Sequence, residues 1–82
     1  MSKMSMHIAF EAARLLESEA MMGLWEGDSI VDPDVNDQDQ PYILIRVEEK
    51  IFKQVQNDVP DSVTVLNRDV AVIVKSLTMR MN

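Results

Sequence analysis

The chain has no cysteine, two glycines, three prolines and four aromatic residues, Phe10, Trp25, Tyr42 and Phe52. Without cysteine there is no disulfide and no thiolate metal site. Long apolar runs are missing too. The longest, Val70 to Val74, falls far short of the roughly 20 residues that span a bilayer. The N-terminus does not read as a signal peptide, because Glu11, Arg14 and Glu17 interrupt any apolar core of a leader. These absences together predict a cytoplasmic protein with no membrane partner.

Basic residues are absent from one stretch in particular. Between Glu26 and Gln40 there are six carboxylates, Glu26, Asp28, Asp32, Asp34, Asp37 and Asp39, and no Lys or Arg. The whole chain carries 14 acidic and 8 basic residues, a net charge of −6. Setting the six aside leaves 8 acidic against 8 basic, so all of the net charge sits in that stretch. A local acidic surface attracts basic partners. A pI near 4.5 argues against direct contact with nucleic acid, whose recognition rests on Lys and Arg.

Catalytic constellations are also lacking. His7 is the only histidine, and no Ser-His-Asp order, metal pair or glycine-rich phosphate loop accompanies it. Gly27-Asp28-Ser29 has no later Asp-x-x-His, and Ser29 reads as a turn residue. Asp32, Asp34 and Asn36 take the first, third and fifth places of a calcium loop. Asp37 then stands where the loop needs glycine, and Ile43 where it needs a bidentate glutamate. The chain is therefore expected to be no enzyme and to hold no metal or cofactor.

What is present is a fair apolar content, 46% in 82 residues, enough for one small domain over residues 1–82. A chain this short buries only about 60% of its unfolded surface, so self-association is one route to further burial. Residues 5–23 read as a helix capped by Ser5 and stopped by Gly23, with Ile8, Ala12, Leu15 and Leu16 on or beside one stripe. Residues 24–40 form the long acidic loop. Pro41 suits a first helical position, and Leu44, Val47, Ile51 and Val55 recur at 3-4-4 spacing, which predicts a second helix over 41–57; Tyr42 to Val47 also resembles a short strand. Glu49 and Lys53 would pair on it at (i, i+4). Val63, Leu66, Val70, Ile73 and Leu77 recur at 3-4-3-4 spacing, which predicts a third helix over 62–80.

The expected fold is thus all-α, a small three-helix domain with a long acidic loop between helices 1 and 2. Its core would hold Ile8, Ala12, Leu15, Leu16, Val47, Ile51, Val55, Leu66, Val70, Ile73 and Leu77. The alternative is α+β with the C-terminal third as strands, because that third is rich in β-branched residues. Against it, Asn67-Arg68 lacks the glycine that a two-residue hairpin turn favours.

Methionine and tryptophan cluster beside the acidic stretch. Met21, Met22 and Trp25, next to Glu26, Asp28, Asp32, Asp34, Asp37 and Asp39, have the composition of an apolar anchor with a charged rim. The expected function is a non-catalytic protein–protein interaction module, a small acidic regulator or inhibitor that binds a basic surface of a larger protein. A structural homo-oligomer is the second reading. The third is a nucleic-acid mimic that blocks a DNA- or RNA-binding protein.

Overall fold

The computed structural model describes residues 3–19 and 29–77. It is an α+β fold rather than the expected small helical domain. Helix α1 spans Lys3–Glu19, and strands β1 (Ser29–Val35) and β2 (Pro41–Val47) follow. A 3-10 turn, Glu49–Ile51, leads into the short helix α2 (Phe52–Asp58), and strands β3 (Ser62–Val65) and β4 (Arg68–Ser76) are the last described elements. The strands form one mixed sheet in the order β1-β2-β4-β3. β2 and β4 lie parallel at its centre, with an antiparallel neighbour on either side.

The strands form where β-branched and aromatic residues crowd together. Tyr42-Ile43-Leu44-Ile45-Arg46-Val47 and Val70-Ala71-Val72-Ile73-Val74 suit a pleated surface better than a helix, where branching at Cβ restricts χ1. The helical spacing across residues 41–57 arises from joining three elements. Leu44 and Val47 belong to a strand, Ile51 to the 3-10 turn and Val55 to α2.

Alternation sorts each strand onto two faces. Ile43, Ile45, Val47, Val65 and Val70 point to one side and meet Ile8, Ala12, Ala13 and Leu16 of α1, with Ile51, Val55 and Val59 around α2. Both helices therefore cover the same face of the sheet. Of the expected core, Ile8, Ala12, Leu16, Val47, Ile51, Val55 and Val70 are buried, while Leu15, Leu66, Ile73 and Leu77 are exposed. Leu15 lies beside the buried stripe of α1, and Ile73 points to the far face of β4.

Leu66 is exposed because it makes the β3–β4 turn. Leu66 and Asn67 have φ of 51° and 65°, the signature of a two-residue type I′ turn. The hairpin reading had set the turn one residue late, at Asn67-Arg68. Asn67 accepts a left-handed backbone readily, whereas Leu66 does so against its Cβ.

Two further local expectations are corrected. Ser5 does not cap α1, which begins earlier. It is fully buried and donates from Oγ to the Asp39 carbonyl at 3.1 Å. Lys53 forms no ion pair with Glu49; the described residues do pair Glu11 with Arg14 and Glu48 with Lys50. No helix among the described residues is long and apolar enough to cross a membrane.

Candidate functional site

The acidic stretch is not one irregular loop. Residues 29–35 are strand β1, and Ser29 begins it rather than turning the chain. Val31, Pro33 and Val35 pair with Ile45, Ile43 and Pro41 and face the helices. Ile30, Asp32 and Asp34 face the other way. Pro33 fits this edge strand because its missing N–H can point away from β2.

The turn after β1 is built on Asn36. Its Oδ1 accepts from the backbone N–H groups of Gln38 and Gln40, both at 2.9 Å. Its Nδ2 donates to Gln40 Oε1 at 3.0 Å, and its backbone N–H donates to the Gln40 carbonyl at 3.0 Å. One side chain thus replaces the ladder bonds that the five-residue connection lacks. Asp37 is exposed in this turn. Asp39, with φ of 59°, turns its backbone inward, where its carbonyl accepts from Ser5 Oγ at 3.1 Å and from Arg68 Nη2 at 3.2 Å. Arg68 Nη1 also donates to Ser5 Oγ at 3.1 Å.

The face opposite the helices carries no helix among the described residues. Register places its side chains in rows across the strands. Asp34, Tyr42, Ala71 and Ser62 make one row; Asp32, Leu44 and Ile73 the next; Ile30, Arg46 and Lys75 the third. Leu44 is nearly buried among these neighbours, while Ile30 and Ile73 are 47% and 39% exposed. The small side chain of Ala71 leaves a shallow groove of roughly 660 Å³, bordered by Tyr42, Leu44, Ile73, Asp69 and Lys75 among others. The face therefore has an apolar middle, acids along the β1 margin and bases at the C-terminal ends of β2 and β4.

Tyr42 ties the acids to the groove. Its phenol donates to Asp34 Oδ2 at 3.3 Å. The phenol pKa is raised above 10.0, first by partial burial, then by the Asp34 carboxylate through its charge and its hydrogen bond, and further by Asp32 and Asp37. A raised folded-state value means that the stability held by the neutral phenol is fully present below about pH 10 and is lost as pH rises through the raised value. Tyr42 is the only tyrosine, so near-UV absorbance of tyrosinate reports it alone. Asp34→Asn is expected to move that titration down towards pH 10, and Asp61→Asn to leave it in place. A wild-type midpoint at or below pH 10 would show that the carboxylates do not act on the phenol.

Of the surface expected from the sequence, Asp32 and Asp34 share one face, Asp37 continues their margin into the turn, and Asp39 is anchored towards α1 and β4. Met21, Met22, Trp25, Glu26 and Asp28 lie outside the described residues. Reading the sequence as helices hid Tyr42, Leu44, Arg46, Ala71, Ile73 and Lys75 as members of the same surface. The resemblance of Tyr42 to Val47 to a short strand was the signal for three of them. No group of three or more His, Asp or Glu among the described residues is placed to hold a metal ion. Comparison with known proteins finds no family model, no curated protein and no solved structure that matches this chain.

Proposed function

We propose that the chain is a non-catalytic protein–protein interaction module, a small acidic regulator or inhibitor that docks on a basic surface of a larger protein. The observation that supports this is the placement of Asp32, Asp34 and Asp37 along one margin of a partly apolar sheet face that no helix among the described residues covers. A row of carboxylates beside apolar side chains offers both steering and burial. Met21, Met22, Trp25, Glu26 and Asp28 extend the proposed surface along the sequence. A cytoplasmic setting is part of this reading, supported by the absence of cysteine from the sequence.

The test is a pull-down with the wild-type chain and with a variant in which Asp32, Asp34, Asp37 and Asp39 are all Asn, at about 50 and about 500 mM salt. Captured proteins are identified by mass spectrometry and their affinity for the purified chain is then measured. A partner with a basic surface, lost at high salt and weakened at least about tenfold by the four changes, is the expected result. Affinity indifferent to both salt and the four changes would refute the acidic docking surface.

A further inference from the structure

We infer that Leu66, at the tip of the β3–β4 turn, is the apolar anchor with which this chain enters a small apolar pocket on its larger partner. The inference rests on the reading of the chain as an interaction module, and it names a part of the contact that the acids do not supply. Two independent observations carry it. Leu66 has a φ of 51°, where its Cβ crowds the backbone and glycine or asparagine fits better. It is also 67% exposed, more than any other large apolar side chain among the described residues.

Each observation alone is ordinary. Exposed leucines are common on protein surfaces, and a strained turn residue is often offset by burial of its side chain. Leu66 has the strain without the burial. Its side chain gives the folded domain little, and its backbone costs the domain stability. A residue unfavourable to the free chain in both respects fits a position that is used in a complex, where the leucine is covered.

The position of Leu66 points the same way. β2 and β4 run parallel and begin at one end of the sheet, and β1 ends there. The turn after β1 and the turn before β4 therefore project side by side, their centres two strand spacings, about 10 Å, apart. The non-glycine residues with positive φ among the described ones, Asp39 at 59°, Leu66 and Asn67 at 65°, all lie in these two turns. Arg68 follows Asn67 directly and links the turns, donating to the Asp39 carbonyl as well as to Ser5 Oγ. Exposed Asp37 stands in the neighbouring turn, so the anchor and one acid of the proposed docking margin meet the same partner surface. A branched aliphatic side chain beside a carboxylate is matched by an apolar pocket with a Lys or Arg on its rim.

The test uses the full chain and the protein that the wild-type chain recovers from lysate. Leu66→Asn is expected to raise the urea midpoint of the free chain, because asparagine accepts a left-handed backbone. The same change should weaken affinity for the recovered protein at least about tenfold. Leu66→Ala keeps a Cβ at the strained position, so it should weaken binding without raising the midpoint. Leu66→Met should retain most of the affinity. Stability that rises while affinity falls is a result that a merely structural leucine does not give. Affinity within about twofold of wild type in Leu66→Asn would overturn the anchor. If changing Asp32, Asp34, Asp37 and Asp39 to Asn still weakens that complex, the acidic docking surface stands without it. A lower midpoint in Leu66→Asn would also overturn the anchor, since the leucine would then serve the fold. Recovery of no protein at either salt concentration would overturn the interaction module itself, and the anchor with it.

Discussion

Ile43→Ala is expected to destabilise the fold by about 2–5 kcal/mol, and Ile73→Ala by only about 1 kcal/mol. The two residues have the same side chain and sit on adjacent central strands. They differ in which face they reach. Ile43 is fully buried between β2 and the helices, and Ile73 is 39% exposed on the open side. Removing three carbons from the first leaves a cavity that rigid strands on both sides cannot close. A domain of 82 residues has a total stability of about 4–12 kcal/mol, so Ile43→Ala removes a large part of it. Ile43→Val, at about 1 kcal/mol, keeps the series measurable if the alanine variant is unfolded. Urea denaturation at low protein concentration, where association does not contribute, gives the differences. Equal losses at the two positions would contradict the assignment of faces.

Arg68→Ala is expected to cost about 2–3 kcal/mol, because it removes two charge-assisted hydrogen bonds from a part-buried site. The Arg68 guanidinium bonds Ser5 Oγ in α1 and the Asp39 carbonyl in the β1–β2 turn. Residues 63 positions apart in the chain are joined through it. Its loss leaves the buried Ser5 hydroxyl and the Asp39 carbonyl one partner short. Arg68→Lys restores the charge but reaches only one of the two acceptors, so it should recover less than half of the loss. The readouts are the denaturation midpoint and amide exchange at Gln38 and Gln40, whose N–H groups sit in the turn that Asp39 anchors. A midpoint shift without faster exchange in the turn would mean that Arg68 acts only through its own strand.

Part of this architecture was legible in the chain. The stripe of Ile8, Ala12 and Leu16 identified α1, because a helix with one buried face repeats at a single period. The central strands defeated the same method. β2 and β4 have apolar residues on both faces, so Val70 to Val74 matches a helical period as readily as a strand's. The acidic stretch hid β1 for another reason. Val31, Pro33 and Val35 alternate with Asp32 and Asp34, which is a period of two, but proline and aspartate are poor strand formers and masked it. The β3–β4 turn was missed because Leu66 occupies a left-handed position that local preference assigns to glycine or asparagine.

The site was legible in its charge and not in its shape. The acids were visible as a block, and the sequence also showed that no base lies among them. That Arg46 and Lys75 share their face depends on β2 lying parallel to β4, a pairing set by the crossover through α2. Nothing in either strand specifies its neighbour. The Ser5–Asp39–Arg68 cluster likewise has no local signature, since its members come from three separate elements.

Pro33 has a consequence for how this protein can go wrong. A bare outer strand is a template on which misfolded chains can add, one after another, until a fibre grows. Here one outer strand has a break in its row of hydrogen-bond donors at Pro33, and the other, β3, is only four residues long. An arriving chain finds too few consecutive donors and acceptors on either side to register against. Among the described residues the sheet stops at four strands, and heated or concentrated samples are expected to lose solubility only after the domain itself has opened.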